Sequence, residues 1–129
     1  MAQIKIFACK AHIDAVRQPL SDAIHAVMME VVGLPEDKRF HRFIALEEEN
    51  FIYPADRGAG YTILEISMFE GRSEETKRAC LKALTERIPS ATNIAVEALE
   101  ITLFETPKSS WGIRGKVADE LSLTYKVET

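Results

Sequence analysis

Five arginines fall where the chain reverses or a strand ends: Arg39 and Arg42 in KRFHRF, Arg57 in PADRG, Arg72 in FEGRSEE and Arg114 in WGIRG. A guanidinium is a planar fork of donors that matches a carboxylate, and loop residues held by a rigid scaffold are where ligands bind. Arg72 has the strongest position. It stands at a strand-to-helix junction, where its side chain can project beyond a sheet beside the free amides of a helix start, so an anionic ligand would find both. Arg114 sits between Gly112 and Gly115 beside Trp111, a cation with an apolar wall and backbone that a ligand can approach closely. Arg57 is the weakest candidate, because DRG in a loop needs no function. Tyr53 and Trp111 serve equally well as pocket walls or as packing. No Ser-His-Asp grouping, phosphate loop or dinucleotide fingerprint can be read. His12, His25 and His41 belong to three different elements and read as structural or solvated. The acidic run Glu47–Asn50 reads as a solvated face, since hard-ion sites space their ligands around a turn. Neither a metal nor a cofactor is expected.

The elements that must position these residues centre on Tyr61 to Ile88. Leu64, Ile66 and Met68 alternate with Ile63, Glu65 and Ser67, the period of a strand with one buried face. Gly71 lets the chain turn, Ser73 is suited to cap a helix, and Glu74 and Glu75 suit the positive end of its dipole. Cys80, Ala83, Leu84 and Ile88 then recur at three and four, and Pro89 is expected to end the helix. The same order occurs earlier. Gln3 to Ala8 reads as a strand, about Asp14 to Val32 as a helix with a stripe from Leu20 to Val31 and an irregular first turn at Pro19, and Phe40 to Leu46 as a strand. Phe51 to Tyr53 is expected as a short edge strand, and Ala98 to Phe104 alternates as the last strand of the second unit. Two β-α-β units follow, with parallel pairing inside each and both helices on one sheet face. Phe7, Phe69 and Phe104 fall on the other face with Lys5, Glu65 and Glu100, which points to burial by another subunit. The tail holds a short helical segment ADEL and LTYKV as an expected final strand.

A chain of 129 residues, nearly half hydrophobic and just over a quarter charged, fits one globular domain over 1–129 and excludes disorder. A net charge of −4 with scattered basic residues argues against nucleic acid as a partner. No apolar run approaches the roughly 20 residues of a bilayer span. The opening MAQIKIFACKAH alternates as a strand rather than as a signal peptide, so a cytoplasmic protein without a membrane partner is expected. Cys9 and Cys80 lack CxxC spacing and read as reduced, buried thiols.

GLPEDKRF after the first helix, ENFIYPADR, EISMFEGRSEETK and WGIRGK cover nearly the whole chain in order. In these pieces the sequence resembles the tautomerase superfamily, in the branch that looks like malonate semialdehyde decarboxylase. The resemblance implies an α+β fold (an α/β sandwich) of tautomerase/MIF-like type, in which two β-α-β units form one four-stranded sheet with two helices on one face. It also implies a homotrimer and acid-base chemistry on a small 2-oxo or enol carboxylate. The family's base is an N-terminal proline, and its arginine near the helix start, matched by Arg72, clamps the substrate carboxylate. Here Ala2 stands at the proline position. With Met1 ahead of it the Ala2 nitrogen is an amide and no base; with Met1 removed it is a primary amine of pKa roughly 7.7–8.0. The decarboxylase-like second arginine aligns with Glu70, and an acidic position with Lys38, next to Asp37. A tautomerase-like isomerase with weak or altered activity is expected, the alternative being a non-catalytic trimeric protein that binds a carboxylate. The ligand set implied is Arg72 with Arg114, Arg39, Tyr53 and Trp111.

Overall fold

The computed structural model describes residues 2–129; the expectation about Met1 lies outside them. Strand β1 (Ala2–Cys9) leads straight into helix α1 (Lys10–Val27), which loosens into a π-helical turn over Met28–Val32 and stops at Gly33 in the left-handed region. Strand β2 is His41–Leu46, β3 is Thr62–Phe69, α2 is Glu74–Thr92 and β4 is Leu99–Thr106. The sheet order is β2-β1-β3-β4. Pairing is parallel within each unit, β1 with β2 and β3 with β4, and antiparallel where β1 meets β3. Ile4, Ile6, Leu64, Ile66 and Met68 point to the helices, where Leu20, Ile24, Val27, Leu84 and Ile88 meet them in one core. The period-two and period-3.6 stripes of the sequence therefore meet as expected.

Several local expectations are corrected. Helix α1 starts four residues early and runs through Pro19, and α2 runs through Pro89 to Asn93, which adopts φ 65. A mid-helix proline costs about 3 kcal/mol. Burial of Leu20 and Ile24 beside Pro19, and of Ile88 beside Pro89, offsets it at roughly 1.5–3 kcal/mol per side chain. Phe51 to Tyr53 forms no edge strand; the chain there is extended but unpaired, and instead Phe51 stacks on Tyr61, Tyr53 packs tilted against Tyr61, and Phe51 and Tyr53 meet edge-on. LTYKV is not a strand either. The tail makes a two-residue hairpin, β5 (Gly112–Ile113) and β6 (Lys116–Val117), then a short 3-10 turn over Ala118–Glu120, in the place of the expected helical segment ADEL, and crosses the end of β3 without a further strand. Trp111 meets Phe69 edge-on, and Ala118 and Val127 close over that ring, so Phe69 is fully buried by its own chain. Phe104, at 46 % exposure, and the half-buried Phe7 remain uncovered. Cys80 is buried and Cys9 only half so; both are free thiols. No described helix is long and apolar enough to cross a membrane.

Candidate functional site

Ser73 caps α2 by accepting the Thr76 amide on its hydroxyl at 3.1 Å, as the sequence indicates. One residue before the cap, Arg72 is folded inward to 5 % exposure. Its Nη1 donates to the Phe69 carbonyl at 3.3 Å, while Nε and Nη2 are buried without a partner. Those two nitrogens form the side-on edge of the guanidinium, the pair of parallel donors that fits the two oxygens of one carboxylate. Burial lowers the Arg72 pKa from its ordinary value, and the charges of Glu105 and Glu128 only partly counter it. The same burial pushes the neighbouring Cys80 thiol up to about 11. The tail lies across the place. Val127 lies against Gly71, where an added Cβ would come within 3.1 Å of it, and the Thr129 carbonyl accepts from the Thr76 hydroxyl at 2.9 Å.

Arg114 shares no hydrogen bond with Arg72. With Gly115 it forms the apex of the β5–β6 hairpin, both residues at positive φ (52 and 81), the pairing a two-residue turn of this hand requires. Arginine in that region is uncommon and costs about 1 kcal/mol or more. Its cost brings a cation to the rim of a cavity of about 210 Å³ lined by Lys38, Phe40, Ile113, Arg114, Leu121, Leu123 and Tyr125. A second cavity, of about 320 Å³, also has Phe40 in its lining, together with Gln3, Arg39, His41 and Arg42. The segment 38–42 thus borders both cavities, and the Phe40 carbonyl accepts from the Ile4 amide at 2.9 Å, which ties the start of β1 to that segment.

Of the residues singled out by sequence, Arg39 donates to Asp22 at 2.6 Å beside the second cavity. Trp111 packs on Phe69 and donates to the Thr106 hydroxyl at 2.6 Å. Arg57 is spent on Glu100 and Asp56. Tyr53 lies at the other end of the sheet, with Cys9 and Leu46; β1 separates it from Ala2 by seven rises, roughly 23 Å. Ala2 is only 3 % exposed. Among the described residues no group of His, Cys, Asp and Glu could hold a metal ion.

Sequence reasoning named His41 but did not pair it with Ser21, 20 residues away, although their Nδ1 and Oγ meet at 2.8 Å. His41 is held far below the usual imidazole range, at about 4, by burial first and then by the charges of Arg39 and His25, against a small opposing effect of Asp22. Because its folded pKa lies below the free value of 6.5, the unfolded chain binds the proton first. The stability it contributes is complete above that value and is lost as pH falls toward 4. The urea midpoint is expected to drop across that window by more in the parent protein than in His41→Gln; equal drops would remove this assignment.

A family model for tautomerase enzymes matches residues 38–114. The 2-hydroxymuconate tautomerase of Comamonas testosteroni is 37% identical over 57 residues, 44% of this chain and 90% of that protein. Among solved structures, malonate semialdehyde decarboxylase superposes with a TM-score of 0.80 at 21% identity, over 93% of this chain and 99% of that one. A fused 4-OT, a symmetric trimer, superposes with a TM-score of 0.78 at 17% identity, over 92% and 96%. At such identities these two structures establish the fold alone.

Proposed function

The chain belongs to the family of tautomerase enzymes, and from that premise we propose that it is an isomerase of small 2-oxo or enol carboxylates whose carboxylate is held by Arg72. The observation that carries this reading is the empty side-on edge of a buried guanidinium. A desolvated cation with two parallel unpaired donors is costly as it stands, and an arriving carboxylate supplies both missing hydrogen bonds and the counter-charge at once. The cavity walled by Phe40, Leu121, Leu123 and Tyr125, with Lys38 and Arg114 at its side, takes the rest of the molecule. The tail joins the two places, since Tyr125 packs on both the main core and the Phe69 cluster. Isothermal titration with a 2-oxo acid tests the reading: saturable binding lost in Arg72→Ala supports it, and binding indifferent to that change removes it.

A second reading, a carboxylate-binding protein without catalysis, is favoured by one observation. Ala2 is nearly buried and pairs with Met68 in the sheet, so a proton-transferring amine there depends on a free chain start in a closed space.

The same reading includes a homotrimer. The uncovered sheet face carries Phe104 and Phe7, Ile52 stands 93 % exposed, and the fused 4-OT that superposes on this chain is a trimer. Sedimentation equilibrium is expected to give three times the chain mass, and Phe104→Glu to shift the protein toward monomer. A monomer at micromolar concentration in the parent protein overturns the assembly.

A further inference from the structure

Phe40 apart, the cavity lined by Gln3, Arg39, Phe40, His41 and Arg42 is bounded by side chains that can only donate or can be set to donate. Arg39 and Arg42 are donors alone. Gln3 can turn its amide either way. The imidazole decides the rest, and a chain of hydrogen bonds reaches its Nδ1. Arg39 Nη1 donates to the Ser21 hydroxyl at 3.4 Å, which leaves that hydroxyl its own hydrogen to direct to His41 Nδ1 at 2.8 Å. With Nδ1 accepting, the single proton of the neutral ring resides on Nε2. Nε2 has no hydrogen-bond partner and is not among the buried unpaired atoms, so it is open to a ligand. Arg42 is exposed and forms no described ion pair, and Arg39 uses one nitrogen, Nη1, on Asp22 and Ser21. Burial of the ring keeps it neutral at ordinary pH, so it is a donor on one side and an acceptor on the other rather than a second cation.

We propose that this cavity is a second, separate oxyanion site, binding a small carboxylate or a phosphate through His41 Nε2–H, Arg39 and Arg42, with Ser21 as the positioning residue that sets the histidine tautomer. A neutral imidazole N–H aimed by its other nitrogen is suited to an anionic oxygen, because it donates without itself being a proton that the ligand can remove at neutral pH. The site does not involve Arg72, and it shares only Phe40 with the cavity assigned to the substrate's body.

The test is long-range ¹H–¹⁵N correlation spectroscopy of the histidines in the intact protein, with titrations of acetate and of inorganic phosphate. The expected result is the Nε2–H tautomer at His41 and a saturable shift of that nitrogen. Response to phosphate alone, to acetate alone or to both assigns the ligand class. Arg42→Gln, at an exposed position, is expected to weaken the response by about tenfold, the loss of one hydrogen bond to a charged group. Ser21→Ala is expected to release the proton to Nδ1 as well as weaken binding, a change of signature that loss of packing alone does not cause. The response is expected to persist in Arg72→Ala, which separates this site from the substrate reading. A proton on Nδ1 in the parent protein, or no saturable shift with either anion, overturns the proposal.

Discussion

Tautomerisation of an enol such as that of phenylpyruvate is expected to be very slow in protein that retains Met1, and to rise by about 10²- to 10⁴-fold in Ala2→Pro from which Met1 has been removed, the range that a positioned proton-transfer group contributes. The family's base is a secondary amine at the chain start, titrating near neutral pH in an apolar pocket close to cations. Ala2 heads β1, whose Ile4 amide donates to the Phe40 carbonyl, and Phe40 lines both the cavity of Arg114 and Lys38 and that of Arg39. Each N-terminus is confirmed by mass and enol loss followed by ultraviolet absorbance across pH. Strong activity with Met1 in place would move the base elsewhere, to His41 or Asp37 first. No gain in the proline variant would favour binding without catalysis.

The second large effect separates stability from binding at one residue. Arg72→Met removes a buried cation with two unpaired nitrogens. Leaving such donors unsatisfied costs about 1–3 kcal/mol, so the ligand-free protein is expected to gain stability of that order, a rise in Tm of several degrees for a domain of this size. The same change is expected to abolish carboxylate binding. Arg72→Lys keeps the charge but loses the fork, and a drop in affinity of about tenfold or more is expected from it. Thermal melts with and without a 2-oxo acid read both quantities. A destabilised Arg72→Met that still binds the acid would mark the guanidinium as a structural strut for the Phe69 carbonyl.

The two β-α-β units were legible because each strand alternates at period two and each helix carries its stripe at three and four, signals that the core uses directly. Pro19 and Pro89 misled for the opposite reason: a local rule about one missing amide was outweighed by Leu20, Ile24 and Ile88, whose partners lie on other elements. Phe69 pointed to another subunit, but the residues that bury it, Ala118 and Val127, are about 50 positions away in an irregular tail with no periodicity to read. At the site, the position of Arg72 was readable from the turn before Ser73, whereas its unpaired edge was not, because pairing is a property of surroundings. The rim position of Arg114 followed from RG at a hairpin apex once the turn was known. Tyr53 looked like its peers in composition, and only the sheet's geometry sends it to the far end.

The antiparallel contact of β1 with β3 relates the two halves of the chain by an approximate rotation, yet the two strand-to-helix junctions differ. Cys9 passes directly into α1 with no side-chain cap, while Phe69 is followed by Glu70, Gly71, Arg72 and the capping Ser73. The second junction holds a buried guanidinium; the first borders a cavity of about 340 Å³ lined by Cys9, Lys10, Leu46, Glu47 and Tyr53, with no arginine among the described residues of its lining. A duplicated architecture can in this way hold one half to structural duty and leave the other free to specialise. The stoichiometry follows: occupancy at the Arg72 position is to saturate at one carboxylate per chain, not one per β-α-β unit.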